Sequence, residues 1–292
     1  MVIVRLRGGL GNQMFQYALG KRISEQLNTP LKLDLTTILR VKKKEGFTYR
    51  PYQLHIFNVE ESYLINPKTI RFFNKLHLHF IVEIIKGIKL LGKKKVKEKT
   101  FTVDDNLINS PLNNALYSGY WQSEKYFSDA EASLRLDFSF KESLSPQATN
   151  ILEKIQQTNS VCVHMRRGDY VQNNYFVPMS SDYFEKASTY INDHIKDPHF
   201  FIFSDEPQWC IDNIKMDANF TVVDFETEKI KYKEDLQLMA SCQHFIMSAS
   251  SFSWWAVWLS GVKNKITIAP KQWFADQSID VSDLVGSDWI RL

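Results

Sequence analysis

Apolar positions along the chain follow two alternating patterns. VIVRL (2–6) is a short apolar run that reads as a buried strand, and RGGLGN follows it as a glycine-rich turn. The next stretch, QMFQYALGKRISEQL (13–27), places Met14, Phe15, Ala18, Leu19 and Ile23 at helical spacing, and LKLDL (31–35) is the next strand. Strand, glycine turn and helix open a doubly wound α/β unit. The second half repeats the alternation more clearly. VCVHM (161–165), HFFIFS (199–204), FTVVDF (220–225), HFIMS (244–248) and KITIAP (265–270) read as strands. Between them SDYFEKASTYINDHI (181–195), PQWCIDNI (207–214), KEDLQLMASC (233–242) and SFSWWAVWLS (251–260) read as helices, the second with proline at its start. Five apolar runs separated by helices imply a parallel sheet covered on both faces.

The region between the halves is less regular. Residues 68–99 are basic and partly amphipathic, ending in the charge run KKKVKEK. They read as a surface helix with a solvated face, or more sharply as an insertion that rests on anionic lipid or a polyanionic glycan carrier. The polar stretch KESLSPQATN (141–150) is the candidate linker, giving an N-terminal domain of 1–145 and a C-terminal domain of 146–292.

With 292 residues, 44% hydrophobic and 24% charged, the chain has the composition of one large or two medium globular domains. A net charge of +3 gives no argument for a nucleic-acid partner. Cys162, Cys210 and Cys242 match neither a zinc spacing nor a disulfide framework, which fits a reducing, cytoplasmic setting. The opening MVIVRLRGGLG does not read as a signal peptide, and no apolar run approaches the ~20 residues that span a bilayer.

In open α/β sheets, ligands bind beyond the carboxyl ends of the strands. Four such ends carry hydroxyls, carboxylates and arginines: HMRRGD (164–169), SDE (204–206), DFE (224–226) and SASS (248–251). An arginine fork grips two phosphate oxygens at once. Because side chains alternate along a strand, Arg166 and Arg167 are expected to point opposite ways, one to an anion and one, with Asp169, into the turn. The bland alternative is an Arg–Asp ion pair that only holds the loop. The tripeptide RGD also occurs in adhesive proteins, but a buried strand leading into it speaks against that use. Ser250, Ser251 and Ser253 stand at a helix start, where they cap free N–H groups or help bind a phosphate, while Trp254, Trp255 and Trp258 recur at core spacing. Asp235, in the first turn of its helix, either complements the helix dipole or accepts the paired donors of guanine. RGGLGN lacks the full dinucleotide fingerprint, yet brings Gly11 and Asn12 near a ligand. No D-x-D triplet is present, so arginine and helix N-termini would carry the charge of a diphosphate without metal.

RLRGGLGNQMFQYALG, GYWQSEKYF (119–127), HMRRGDY, FSDE (203–206) and KEDLQLMASCQHFIMSASSFSWWAVWL occur in the order that bacterial alpha-1,2-fucosyltransferases show, and the chain resembles that group, glycosyltransferase family eleven. The resemblance implies a GT-B fold, two Rossmann-like α/β domains facing across a cleft, the second binding GDP-fucose and the first shaping the acceptor site. It implies inverting, metal-free transfer to the 2-hydroxyl of a galactoside, with no cofactor. It places Arg166 on the beta-phosphate and His164 in the same pocket. Asp235 would read guanine, Ser204, Ser250, Ser251 and Ser253 would line the donor, and Gly11 and Asn12 would stand near the reacting sugar. Tyr120, Trp121 and Glu124 are acceptor candidates. Asp169, Glu124 and Asp34 are candidate general bases, with none chosen. The alternatives are a non-catalytic GDP-sugar or glycan-binding protein and a transferase with another nucleotide-sugar donor.

Overall fold

A computed structural model describes residues 1–39, 50–168, 177, 180–214, 218–224 and 231–292. The chain divides into two units, residues 1–141 with 280–284, and residues 142–279 with 285–292.

The first unit opens as the glycine pattern predicts, with strand β1 (Val2–Arg5), helix α1 (Leu10–Gln26) and strand β2 (Leu31–Asp34). Helices α2 (Pro67–Lys75) and α3 (His79–Lys89), strand β3 (Lys94–Lys97), helix α4 (Asp105–Asn109), strand β4 (Ala115–Ser118) and helix α5 (Glu131–Asp137) follow. The sheet order is β2-β1-β4-β3, and every pairing is parallel. Two elements depart from the sequence reading. Residues 68–99 are not one surface helix: Pro67 and the Asn66 cap start α2, and the charge run ends as the edge strand β3. Lys94, Lys95 and Lys97 are exposed there while Val96 is half-buried, a charged edge that discourages pairing with another chain. ALYS, inconspicuous in sequence, is β4, which pairs on both sides and is therefore central.

The second unit contains helix α6 (Pro146–Gln156), strand β5 (Asn159–Met165), helix α7 (Ser181–His194), strand β6 (Pro198–Ser204), helix α8 (Pro207–Asn213) and strand β7 (Asn219–Val223). Helix α9 (Lys231–Ala240), strand β8 (His244–Ile246), helix α10 (Ser251–Leu259), strand β9 (Thr267–Ala269) and strand β10 (Ile290–Arg291) complete it. Its sheet has six strands rather than five, because the two-residue β10 joins β9. The order β10-β9-β8-β5-β6-β7 is wholly parallel and is the doubly wound Rossmann order. Val161, Val163 and Met165 of β5 enter one buried cluster with Phe200 and Ile202, so Cys162 and His164 face the opposite layer. Burial on both faces explains why this strand is apolar without alternation. The candidate linker is half helix: Ser145 accepts the Ala148 N–H and Pro146 is the first residue of α6. The three cysteines are free and buried.

Candidate functional site

The sheet of the second unit has the switch point of a doubly wound fold, where neighbouring strands are followed by connections that run in opposite directions. A crevice at the carboxyl ends of the strands opens there. It lies between β5 and β8. The Ser248 hydroxyl spans it, donating to the His164 carbonyl at 2.5 Å and accepting the Arg166 N–H at 3.0 Å. Arg166 is thus fixed by its backbone at the mouth of the crevice. Its guanidinium pairs with Asp205, Nη1 to Oδ2 at 2.8 Å. Arg167 pairs with Glu206 at 3.0 Å, lies 3.4 Å over the Trp209 ring, and donates its backbone N–H to Asp205 Oδ1 at 3.0 Å. The expected opposition of the two arginines is therefore corrected. The strand ends at Met165, alternation ends with it, and both side chains reach the loop after β6. Gly168 leaves room for this loop, since a Cβ there would stand 2.6 Å from Asp205 Oδ2.

His164 is buried beside Phe252, ring centroids 5.8 Å apart, and its Nδ1 finds no partner among the described residues. Burial, reinforced by the Arg166 charge, lowers its pKa to about 3. The ring is neutral throughout the physiological range, so it can line a pocket but cannot act as an imidazolium acid. Asp235, also buried, pairs with Lys231 Nζ at 3.1 Å, and Lys231 also donates to the Val223 carbonyl at the end of β7. Burial raises the Asp235 pKa to about 7 despite the lysine.

The serines separate. Ser250 caps α10, its hydroxyl accepting the Phe252 N–H at 3.3 Å, and Ser251 is half-buried in the first turn. Ser253 is buried and its hydroxyl faces the Ser248 and Ser250 carbonyls, so it holds the turn instead of reaching a ligand. Ser204 is likewise buried, accepting the Glu206 N–H at 3.0 Å at the end of β6. Trp254, Trp255 and Trp258 are buried core. Asp169 and Glu226 lie outside the described residues.

In the first unit a glutamine bridges the carboxyl ends of β1 and β4. Gln16, fully buried on α1, accepts the Arg7 N–H at 2.9 Å and donates to the carbonyls of Arg7 and Gly119. Gln13, also fully buried, donates to the Gly8 and Pro51 carbonyls and accepts the Gln53 N–H. The turn is tight. Gly8 has φ +77°, and a Cβ on it would lie 2.5 Å from Asn12 Nδ2. Asn12 accepts the Gln122 side-chain N–H at 2.6 Å, and Gly11 is buried in the first turn of α1. Arg7 lies 4.4 Å over the half-buried Tyr120 ring. Glu98, at the end of β3, accepts the Tyr120 and Trp121 N–H groups at 2.6 and 2.8 Å, and burial raises its pKa. Gln13, Gln16, Arg7 and Glu98 were not singled out from sequence. The only signal was QxxQ inside an otherwise apolar helix face.

Two candidates in this unit are corrected by burial. Trp121 is 2% exposed, edge-on to Tyr126 and at φ 58°, so its ring belongs to the core instead of offering a face to a sugar. Asp34 is fully buried, with Oδ2 on Arg5 and Oδ1 accepting the Thr36 N–H and hydroxyl, so its carboxylate holds the fold and is not presented to an acceptor hydroxyl. Glu124 is exposed in a short 3₁₀ turn.

The sequence pattern of glycosyl transferase family 11 matches residues 1–292. The chain is 31% identical over 305 residues to an alpha-1,2-colitosyltransferase of Escherichia coli, covering 100% of this chain and 99% of that protein. It is 29% identical over 155 residues to galactoside alpha-(1,2)-fucosyltransferase 1 of Rattus norvegicus, covering 49% of this chain and 41% of that one. Among solved structures, the fucosyltransferase NodZ from Bradyrhizobium superposes with a TM-score of 0.48 at 12% identity, covering 88% of this chain and 91% of that chain. Matched along its whole length by the family pattern and aligned end to end with the first of these relatives, the chain belongs to glycosyl transferase family 11.

Proposed function

We propose that the protein transfers fucose from GDP-fucose to the 2-hydroxyl of a galactose-containing acceptor, with inversion and without a metal ion. The observation that carries this reading is Arg166, held by its own backbone at the switch crevice of a Rossmann-ordered sheet. Breaking the sugar–phosphate bond leaves an oxocarbenium-like sugar and adds negative charge to the beta-phosphate. A guanidinium donor aimed there gains more from the transition state than from the ground state. Asp205 keeps that guanidinium extended before a phosphate arrives. The capped N-terminus of α10 adds backbone N–H groups to the same anion. Asp235 supplies a carboxylate for the N1–H and amino hydrogens of guanine. The turn around Asn12, Tyr120 and Gln122 is the acceptor-side surface of the first unit.

A second reading concerns the sugar. The full-length relative is named for colitose, a fucose that lacks the 3-hydroxyl. Competition settles both questions. The purified protein, a galactoside acceptor and excess EDTA are incubated with GDP-fucose against GDP-colitose, GDP-mannose and UDP-galactose, and the product linkage is determined. An alpha-1,2-fucosyl product at full rate in EDTA is expected. Preference for GDP-colitose would move the donor assignment, and loss of activity in EDTA would remove the metal-free mechanism.

A further inference from the structure

The first unit carries an apolar surface that none of this chemistry uses. Nine large apolar side chains are prominently exposed among the described residues, and six of them fall within 72–91. These are Phe72, Leu76, Phe80, Ile84, Ile88 and Leu91, each 49–82% exposed. On α3, Phe80, Ile84 and Ile88 follow one another at four-residue steps, and Leu91 continues the line. At about 100° per residue they lie across the helix from Val82, with the half-buried Ile85 on the flank between, and these two pack on the core with Ile3, Leu64, Ile65, Ile70 and Leu116. Phe72 and Leu76 stand in the same relation to Ile70 on α2. Both helices are therefore apolar on two sides, one facing the core and one facing water. Isolated exposed apolar residues need no explanation, but a concentration of this kind marks a surface that meets something.

Charge says what it meets. Residues 68–99 hold ten Lys or Arg and two Glu, net +8, in a chain whose total is +3, so the remainder is net −5. One of the two carboxylates, Glu83, is paired with Lys86. Lys89, Lys94, Lys95 and Lys97, in the same stretch of chain as the apolar line, are exposed. A second copy of the chain fits poorly, because a symmetric interface would set these cations against themselves. No helix among the described residues is long and apolar enough to cross a membrane. Apolar side chains flanked by lysines on short helices suit the headgroup boundary of a bilayer instead.

We infer that the α2–α3 hairpin and the β3 edge seat the protein on an anionic lipid surface, with the Phe72–Leu91 side chains inserted and the lysines on the headgroups. This concerns a surface outside the proposed donor site and stands whichever sugar is transferred. The test is co-sedimentation with phosphatidylcholine vesicles with and without phosphatidylglycerol, at low and high salt. The wild type is expected on the anionic vesicles, releasing as salt rises. Ile84→Asp/Ile88→Asp and, separately, Lys94→Gln/Lys95→Gln are each expected to weaken binding about tenfold or more, with transfer to a soluble acceptor unchanged. Equal wild-type binding to both vesicle types, or full binding by both variants, would overturn the inference. So would a lipid-free dimer in sedimentation velocity that the aspartate variant dissolves, since it would assign the face to a second copy. Should the aspartate variant fail to fold, the lysine pair, on an exposed strand edge, decides alone.

Discussion

Arg166 and His164 stand two residues apart at one strand end and have opposite electrostatic roles. Arg166 keeps its charge available by pairing with Asp205 at a partly exposed position. Arg166→Ala is expected to lower turnover about 10²–10³-fold while the protein still folds. Arg166→Lys should recover only part, because an ammonium lacks the planar fork. A soluble alanine variant with wild-type kcat would remove Arg166 from the reaction. His164 has lost the ability to hold a charge. Its folded pKa of about 3 lies below the ordinary 6.5, so its contribution to stability is complete above the unfolded value. That contribution is lost as pH falls from about 6.5 toward 3, because only the unfolded chain then takes up the proton. Urea unfolding at pH 7 and pH 5 should show a loss from this source of about 2 kcal/mol, absent in His164→Gln. Equal pH dependence in the two proteins would show that the ring titrates normally. At this scale the sequence was informative about residue type and poor about partners. It placed an arginine pair, a histidine and a serine cluster at strand ends. It did not show that Ser253 and Ser204 turn inward, or that Gln16 and Ser248 bridge strand ends; the far partners of Gln16 and Ser248, Gly119, His164 and Arg166, are 82 to 103 residues away in sequence.

Elements were legible in proportion to how much apolar surface they bury. β5 and β6 are legible to within a few residues because their central residues are apolar and covered on both sheet faces, and α1 because Met14, Phe15, Ala18, Leu19 and Ile23 recur at helical spacing despite the buried Gln13 and Gln16. β3 does not read as a strand, because an edge strand needs little apolar character and this one is lysine-rich. β4 was overlooked because ALYS is short, although pairing with both β1 and β3 makes it central. The β1–α1 turn illustrates how local sequence and tertiary packing meet. Glycine at 8 was readable as a turn residue, but the reason alanine is excluded is its positive φ combined with the approach of Asn12. Gly8→Ala should cost about 1–3 kcal/mol and displace Asn12. A thermal melt indistinguishable from wild type would contradict the strain at this turn.

For the whole molecule, the proposed donor site links nucleotide binding to folding stability. A ligand that binds only the folded chain stabilises it by mass action, about 2.7 kcal/mol at a hundredfold excess over Kd. GDP is therefore expected to raise Tm, and Arg166→Ala to reduce that shift. Asp235 adds a pH dependence. Its carboxyl titrates at about 7 and guanine needs the ionised form, so GDP affinity should fall as pH drops below about 7. In Asp235→Asn that dependence should vanish, leaving only the titration of GDP itself, for which inorganic diphosphate is the control. A GDP shift that is flat from pH 8 to pH 6 in the wild type would dissociate Asp235 from guanine.

By itself the sequence determined the class of the fold, the glycine turn, the charged strand ends and the concentration of basic charge in 68–99, because each is a local pattern of burial, backbone freedom or composition. Tertiary structure decided which strand ends are neighbours. The order β10-β9-β8-β5-β6-β7 brings Ser248 to Arg166, and β2-β1-β4-β3 brings Gly119 to Gln16. It also decided that the apolar residues of α2 and α3 divide between core and solvent. Periodicity reports that a face is apolar. Only the packing of distant strands and helices fixes what that face covers.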